Sequence, residues 1–364
     1  MAATLLITGG CGFVGSRIAK SLLRGGELSQ QTGVAPPRIT VLDSFIRSGS
    51  ERNRPILECL GLEVVEGDLR DRSLIDSLPA CDWVIDCAAN PSVLAGLSPQ
   101  SSSLELVDHN LGGTIHLLEY CKRHRAGLVL VSTSRIYSAG RLSAIPHRVR
   151  DSKIDVDWSQ VMSDGQFTGL TEAGIGESFS VEPPLSLYGT TKLASEWLAM
   201  EYANAFGFPV WIDRCGVLAG AGQFGKADQG IVAYWMHRYL YGHPLKFIGF
   251  EGSGAQVRDC LHPEDLARLI AMQIRTGKDA SKPNTVNISG GIESSFSLIE
   301  LHEWCQRRWG DRVPGGPRSV SKVLETRPFD APWIVLDSSL AKKDRKSTRL
   351  NSSHEWISRM PSSA

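Results

Sequence analysis

The chain has 364 residues, with 39 Lys+Arg balanced by 39 Asp+Glu and a formal net charge of zero. That balance gives no long-range pull toward nucleic acid or an anionic membrane, and no apolar run approaches the roughly 20 residues needed to span a bilayer. The length suits one large α/β unit or two modest lobes around a substantial core.

The N-terminal stretch Met1–Thr8 has no basic segment and runs straight into a glycine turn, so a secretory signal is not expected and a cytoplasmic location is. Thr4–Thr8 reads as a buried strand and Ser16–Leu23 as a helix. Further strands follow at Arg38–Leu42, Leu62–Val65, Trp83–Cys87 and Leu128–Ser132, with helical spacing over Leu111–His124. Short apolar strands alternating with helices predict an α/β fold with a doubly wound parallel sheet. Ser138–Phe179 is a polar stretch of little periodicity, long enough to be a functional excursion. Tyr188–Phe206 reads as a long helix and Val210–Asp213 as the next strand. From about Gly216 the pattern loosens into glycine-rich loops and short helices. The expected organisation is a dinucleotide-binding domain over 1–215, with an insertion at about 138–179, and a smaller region over 216–343 that is mainly substrate lobe. The eight cysteines are scattered without a C-x-x-C pair and read as reduced, mostly buried thiols; the histidines show no metal-ligand spacing, so no metal is expected.

The first strand is followed by Thr8-Gly9-Gly10-Cys11-Gly12-Phe13-Val14-Gly15, a G-x-x-G-x-x-G pattern at Gly9, Gly12 and Gly15 that opens the first helix. Glycines at this spacing permit a tight turn, close approach of backbone to a pyrophosphate, and helix–strand packing, and the helix N-terminus faces the phosphates. Asp43 ends the second strand, where an acid accepts hydrogen bonds from adenosine ribose hydroxyls and repels a 2′-phosphate. The pattern therefore favours NAD over NADP, with nearby Arg47 the one feature that softens the choice. Asp68, after Gly67, is placed to meet the adenine amino group. Ala88-Ala89 closes the fourth strand with side chains small enough for the cofactor to lie flat.

Tyr188 and Lys192 stand at i and i+4 and share a helical face. A phenol near pKa 10 is a poor base at neutral pH, and an ammonium about 4 Å away at an effective dielectric near 20 contributes roughly 4 kcal/mol toward the phenolate. Lys192 can also hold the nicotinamide ribose. Thr133, at the end of the fifth strand, is expected to bind the same substrate hydroxyl as Tyr188.

Together these residues resemble the extended short-chain dehydrogenase/reductases that epimerise or dehydrate nucleotide sugars, over roughly Thr4 to Lys343. Such a resemblance implies a Rossmann-like domain with a smaller C-terminal substrate lobe, a tightly held NAD, a nucleotide-sugar substrate and a homo-oligomer. Within that family, Ser132–Tyr137 with its following insertion, Gln223-Phe224-Gly225-Lys226-Ala227-Asp228-Gln229-Gly230, and Gly252–Asp259 look like the CDP-paratose (CDP-tyvelose) 2-epimerases. That implies inversion at carbon 2 of a CDP-sugar through a transient 2-keto sugar. Gln223, Lys226 and Arg258 are the candidate substrate-binding residues. Lys226 either pairs with a phosphate or is simply solvated, and Arg258 either grips a phosphate or ribose or forms a salt bridge to Asp259 or Asp265. His262 reads as a structural residue beside a helix start. The family's 4,6-dehydratases carry an Asp-Glu pair directly after the catalytic Thr. Ser134 and Arg135 occupy those positions here, so dehydration is not expected. A 4-epimerase or reductase would use Thr133, Tyr188 and Lys192 equally well, and a non-catalytic NAD-binding relative is the third possibility. From about Asp344 the character changes to a Ser- and Arg-rich run over 344–364. This tail resembles the in-frame translation of a sequencing adapter and is expected not to belong to the fold.

Overall fold

The computed structural model describes residues 3–24, 36–97, 101–227, 229–277, 284–313, 316 and 318–343. The tail over 344–364 therefore lies outside the described residues.

Seven strands make one all-parallel sheet: β1 Thr4–Thr8, β2 Arg38–Asp43, β3 Glu63–Glu66, β4 Trp83–Asp86, β5 Gly127–Thr133, β6 Val210–Cys215 and β7 Thr285–Ile288, in spatial order β7-β6-β5-β4-β1-β2-β3. Central strands such as Leu-Leu-Ile in β1 and Leu-Val-Leu in β5 are apolar on both sides because helices cover both faces. On one face lie α1 (Phe13–Leu23) and the helix Pro263–Thr276, whose Leu266, Leu269, Ile270 and Ile274 join Ile7, Ile18 and Val129 in one buried cluster. On the other lie α2 (Gly113–His124) and α3 (Leu187–Phe206), packed on Leu6, Leu128 and Val210. The order reverses between β1 and β4, and a ligand crevice opens at that switch point, beyond the carboxyl ends of the strands.

The architecture adds detail to two sequence expectations. A division of the chain at residue 215 does not divide the core. The helix Pro263–Thr276 and β7 belong to the sheet's own layers, with β7 pairing in register with β6 from Ile212–Thr285 to Cys215–Ile288. The chain leaves the sheet after β6, builds the smaller lobe and returns.

The stretch 138–179 has secondary structure and a core of its own. It forms the antiparallel strands His147–Arg150 and Lys153–Val156, the helix Trp158–Ser163 and the short pair Leu170–Thr171 and Gly174–Ile175. Its spaced apolar residues Ile154, Val161, Phe167 and Phe179 pack with Ala331 and Trp333–Leu336 in a separate core. Trp158 meets Trp333 edge-on, with ring centroids 5.6 Å apart. The smaller lobe is built on α4 (Ile231–Leu240) and the helix Leu298–Trp309, the latter opened by a Ser297/Glu300 capping box.

Candidate functional site

All the residues singled out above for the cofactor, the chemistry and the substrate line one cavity of about 1010 Å³. It runs from the glycine turn after β1, across the ends of β4, β5 and β6, into the smaller lobe.

The cofactor end is shaped by close backbone approach. Gly9 has φ +59°, and a Cβ there would lie 2.9 Å from the backbone of Ala88; a Cβ on Gly15 would lie 2.4 Å from the Gly9 carbonyl oxygen. The Gly12 N–H closes the turn on that same carbonyl at 3.0 Å. This leaves the first-turn N–H groups of α1, at Phe13 and Val14, facing the cavity without a side-chain cap. The turn thus has the open, backbone-lined form that a dinucleotide pyrophosphate needs. We expect Gly9→Val to lower cofactor retention on the order of tenfold or more, because the left-handed conformation and the Ala88 contact both resist a branched side chain. Nucleotide released from heat-denatured protein, compared with wild type, checks this.

Asp43, only 9% exposed, accepts N–H bonds from Cys11 (2.9 Å) on one oxygen and Phe45 (2.9 Å) on the other. Burial raises its pKa and these backbone donors oppose the rise. A carboxylate has about four lone-pair sites, so acceptor capacity remains for a ribose diol. Arg47 turns toward the substrate loop, donating to the Phe224 carbonyl at 3.0 Å and to Gln229. Asp68 differs from expectation. Its carboxylate is gripped by Arg70 (2.7 Å), which holds it below the usual carboxylate range, so much of its capacity is committed within the protein. Ala88 and Ala89 line the cavity beside the glycine turn.

α3 carries an unusual buried face. Ser186 caps it, accepting from the Gly189 N–H at 3.0 Å, and Gly207 ends it in the left-handed conformation. Tyr188, Thr191, Lys192, Ser195 and Glu196 are all buried on it. A polar stripe placed where a helix ordinarily buries leucines serves the site and its support, not the core. Thr133 lines the cavity with Tyr188, and its hydroxyl accepts the Arg135 N–H at 3.2 Å, capping the short turn Ser134–Ile136.

The electrostatics of Tyr188 differ from the sequence expectation. Burial pushes the phenol up to about 12, opposed by the Thr133 hydrogen bond and then by the positive charge of Arg135. The charge of Lys192 also lowers the buried Cys87 and Cys215 thiols, which burial raises far more. Sharing a helical face with Tyr188 puts Lys192 in the cavity, where it is 3% exposed.

On the substrate side, Arg258 pairs with neither Asp259 nor Asp265. It bridges Asp330 at 2.5 Å and donates to the Ala331 carbonyl at 2.9 Å, so its guanidinium is partly spent on the 327–331 loop. Asp265 pairs with Arg268, and His262 caps the helix Pro263–Thr276 by accepting from the Glu264 N–H. Gln223 donates to the Leu218 carbonyl (3.0 Å), and its buried Oε1 has no hydrogen-bond partner among the described residues. Lys226 is exposed, in a tight turn closed by its N–H on the Gln229 carbonyl at 2.7 Å. The loop carrying both residues is seated on the loop after β2, where Arg52 lies over the Phe224 ring at 5.5 Å.

Sequence reasoning missed three contributors. Asn110 lies in a wide π-type turn, Asp108–Gly112, that interrupts the helix before α2. From there it accepts the Asn90 N–H (2.8 Å) and donates to the Thr191 hydroxyl (3.1 Å). An Asn amid helical spacing was the available signal. Glu196, one turn beyond Lys192 on the same stripe, binds Ser132 and is ion-paired with Arg214 at 2.8 Å. Its i+8 spacing from Tyr188 was a legible clue. The cavity wall at Arg327–Asp330 had none, because it arrives from a loop about 140 residues beyond Tyr188.

Comparison with known proteins follows this geometry. Residues 5–289 match the model of the NAD dependent epimerase/dehydratase family. The chain is 29% identical over 307 residues to a CDP-paratose 2-epimerase of Salmonella typhi, covering 82% of each chain. It is 30% identical over 292 residues to a dTDP-glucose 4,6-dehydratase of Streptomyces antibioticus, covering 79% of this chain and 72% of the relative. Its fold matches a UDP-glucuronic acid 4-epimerase of Bacillus cereus, solved with UDP-glucuronic acid and NAD, with a TM-score of 0.71 at 21% identity, covering 98% of this chain and 96% of that one. The chain belongs to the NAD-dependent epimerase/dehydratase family of nucleotide-sugar enzymes, with NAD as its cofactor.

Proposed function

We propose that this protein epimerises a nucleotide sugar at carbon 2, with a CDP-linked 6-deoxy sugar of the paratose type as substrate. The observation that carries the reading is the composition of the cavity wall at Thr133 and Tyr188. Among the described residues its carboxylates are Asp43 and Asp68 at the cofactor end and Asp330, which is held by Arg258. Eliminating water across a sugar's carbons 5 and 6 requires an acid–base group free to protonate the departing hydroxyl. Ser134 and Arg135 stand beside Thr133 instead, and neither supplies one. The similarity to a CDP-paratose 2-epimerase supports the choice of reaction and of nucleotide.

In this reading, Thr133 and Tyr188 hold the reacting hydroxyl of the sugar, and the Tyr188 phenolate oxygen takes its proton. Lys192, 3% exposed and lining the cavity, would hold the nicotinamide ribose, with the Gly9–Gly15 turn and Asp43 holding the pyrophosphate and adenosine ribose. Bound NAD supplies reversible oxidation of the carbinol carbon. Tyr188 returns its proton to the same oxygen after the 2-keto sugar has turned its other face, so the reaction has no net redox change. Gln223, Lys226 and Arg258 flank the path of the diphosphate.

The test is incubation of purified protein with CDP-paratose and no added cofactor, followed by proton NMR of the anomeric signals. Appearance of the carbon-2 epimer, with deuterium at carbon 2 retained, is the expected result. Loss of that deuterium to solvent would replace hydride return by enolisation. Inertness toward CDP-paratose together with inversion of a UDP-sugar at carbon 4 would move the protein to the 4-epimerases.

A further inference from the structure

We infer that Phe224 is a clasp on the cofactor: its ring pins the segment 221–225 onto the loop after β2, so that NAD enters or leaves only when this contact opens. This requires only that NAD is the cofactor, whatever the sugar or the carbon that reacts.

The segment joins the two elements that shape the cofactor end of the cavity. On one side is α1, whose first-turn N–H groups face the cavity. Arg17, one turn into that helix, donates to the Ala221 carbonyl at 2.7 Å. On the other side is the loop that follows Asp43. From it Arg47 donates to the Phe224 carbonyl at 3.0 Å and to the Gln229 side chain. Residues 221–225 therefore bridge from the helix that would meet the pyrophosphate to the loop beside the acid that would meet the adenosine ribose.

The ring has a built seat. Gly49 is buried with φ +101°, and a Cβ there would lie 2.8 Å from the Phe224 ring, so the ring rests on bare backbone in a slot that glycine leaves open. Arg52 lies over the ring, 5.5 Å from its centroid. The seat is itself tied to the glycine turn, because Asn53 donates to the Cys11 carbonyl at 2.9 Å. Yet Phe224 is 38% exposed and belongs to none of the buried apolar clusters among the described residues. A ring held by a slot and a cation, and not by a core, can open without unfolding the fold.

The backbone on either side of Phe224 suits such an opening. Gly222 lies in the left-handed region at φ +84°, where a Cβ would meet only the end of the Arg17 side chain among the described residues. At Gly225 a Cβ would lie 2.3 Å from the Tyr234 backbone nitrogen, so this end is wedged against α4. Gly222 is the pivot and Gly225 the anchor.

The experiment mixes the cofactor-loaded protein with excess isotope-labelled NAD and follows exchange of the bound cofactor. The fraction still bound at equilibrium after dilution gives the Kd on the same samples. A clasp that holds the cofactor equally well open or closed scales entry and exit by one factor and leaves their ratio unchanged. Phe224→Ala is expected to speed exchange about tenfold while the Kd changes by less than about threefold. Arg52→Met, which removes only the cation over the ring, should speed exchange less. Phe224→Tyr keeps the ring in its slot and should exchange at the wild-type rate. Exchange unchanged in both Phe224→Ala and Gly49→Ala overturns the clasp. Faster exchange with the Kd weakened in the same proportion also overturns it, because Phe224 would then be an ordinary contact of the cofactor. So does equal acceleration by Phe224→Tyr, which would mark a general loosening of the loop. Exchange needs no substrate, so inertness toward CDP-paratose leaves its outcome intact.

Discussion

Tyr188→Phe is expected to lower turnover by about 10³-fold while leaving the fold and the bound cofactor unchanged. The magnitude follows from loss of the proton acceptor, since positioned general acid–base groups contribute roughly 10²–10⁴-fold. The selectivity follows from the geometry: the ring is 7% exposed and packed at the start of α3, and Phe preserves that packing while removing only the hydroxyl. Because burial pushes the phenol up, the base form gains as pH rises, so wild-type turnover should climb toward alkaline pH and the residual activity of the variant should not. Rate measurements across pH, with cofactor content assayed on the same samples, check both parts. A Phe variant with wild-type turnover would remove Tyr188 from the mechanism.

The second large effect concerns stability. Glu196 is fully buried and Arg214 nearly so, and their 2.8 Å ion pair is the hub of a polar network beneath the cavity. Ser132 donates to Glu196, and Arg214 reaches the Glu177 carbonyl at 3.2 Å. Tyr137 donates to Asn287 at 2.6 Å, and Asn287 in turn binds Ile175 and Glu177. One network thus ties α3, β5, β6 and β7 to the end of the 138–179 insertion. Removing one partner strands the other charge in the interior, which costs about 3–5 kcal/mol, whereas replacing both by apolar residues of similar volume is far cheaper. Glu196→Ala should therefore lose about 3–5 kcal/mol in denaturant unfolding, and Glu196→Leu combined with Arg214→Met should recover most of it. A single-variant loss below about 1 kcal/mol would show that water reaches the pair.

Glu196 also marks where legibility ended. The stripe Tyr188, Lys192, Glu196 is visible as i, i+4, i+8 spacing, but spacing does not say what lies opposite. Whether a charged residue on a buried stripe faces substrate or another charge depends on the neighbouring strand, and Arg214 on β6 answers that only when the sheet is assembled. Lys192 shows the same limit in reverse. Its helical face is visible in the spacing, but that its charge also reaches the thiols at the ends of β4 and β6 is not. A long side chain samples several directions from one Cα, and local spacing cannot choose among them.

By itself the sequence determined the elements whose cause is local. Runs such as Thr4–Thr8 and Leu128–Ser132 must be buried strands because they are apolar without alternation. The glycines at 9, 12 and 15 must form a turn that only residues without a side chain can make, and Asp43 follows as the acid at the end of the second strand. Those features also sufficed for the fold class and for NAD. Tertiary structure decided what depends on distant pairing. It returned the chain after the smaller lobe to add β7 to the sheet, and packed the apolar residues of 138–179 against Trp333–Leu336. It also gave Arg258 to Asp330. The physical reason is the same in each case: periodicity reports which side of an element avoids water, while the identity of what covers that side is set by contacts between residues far apart along the chain.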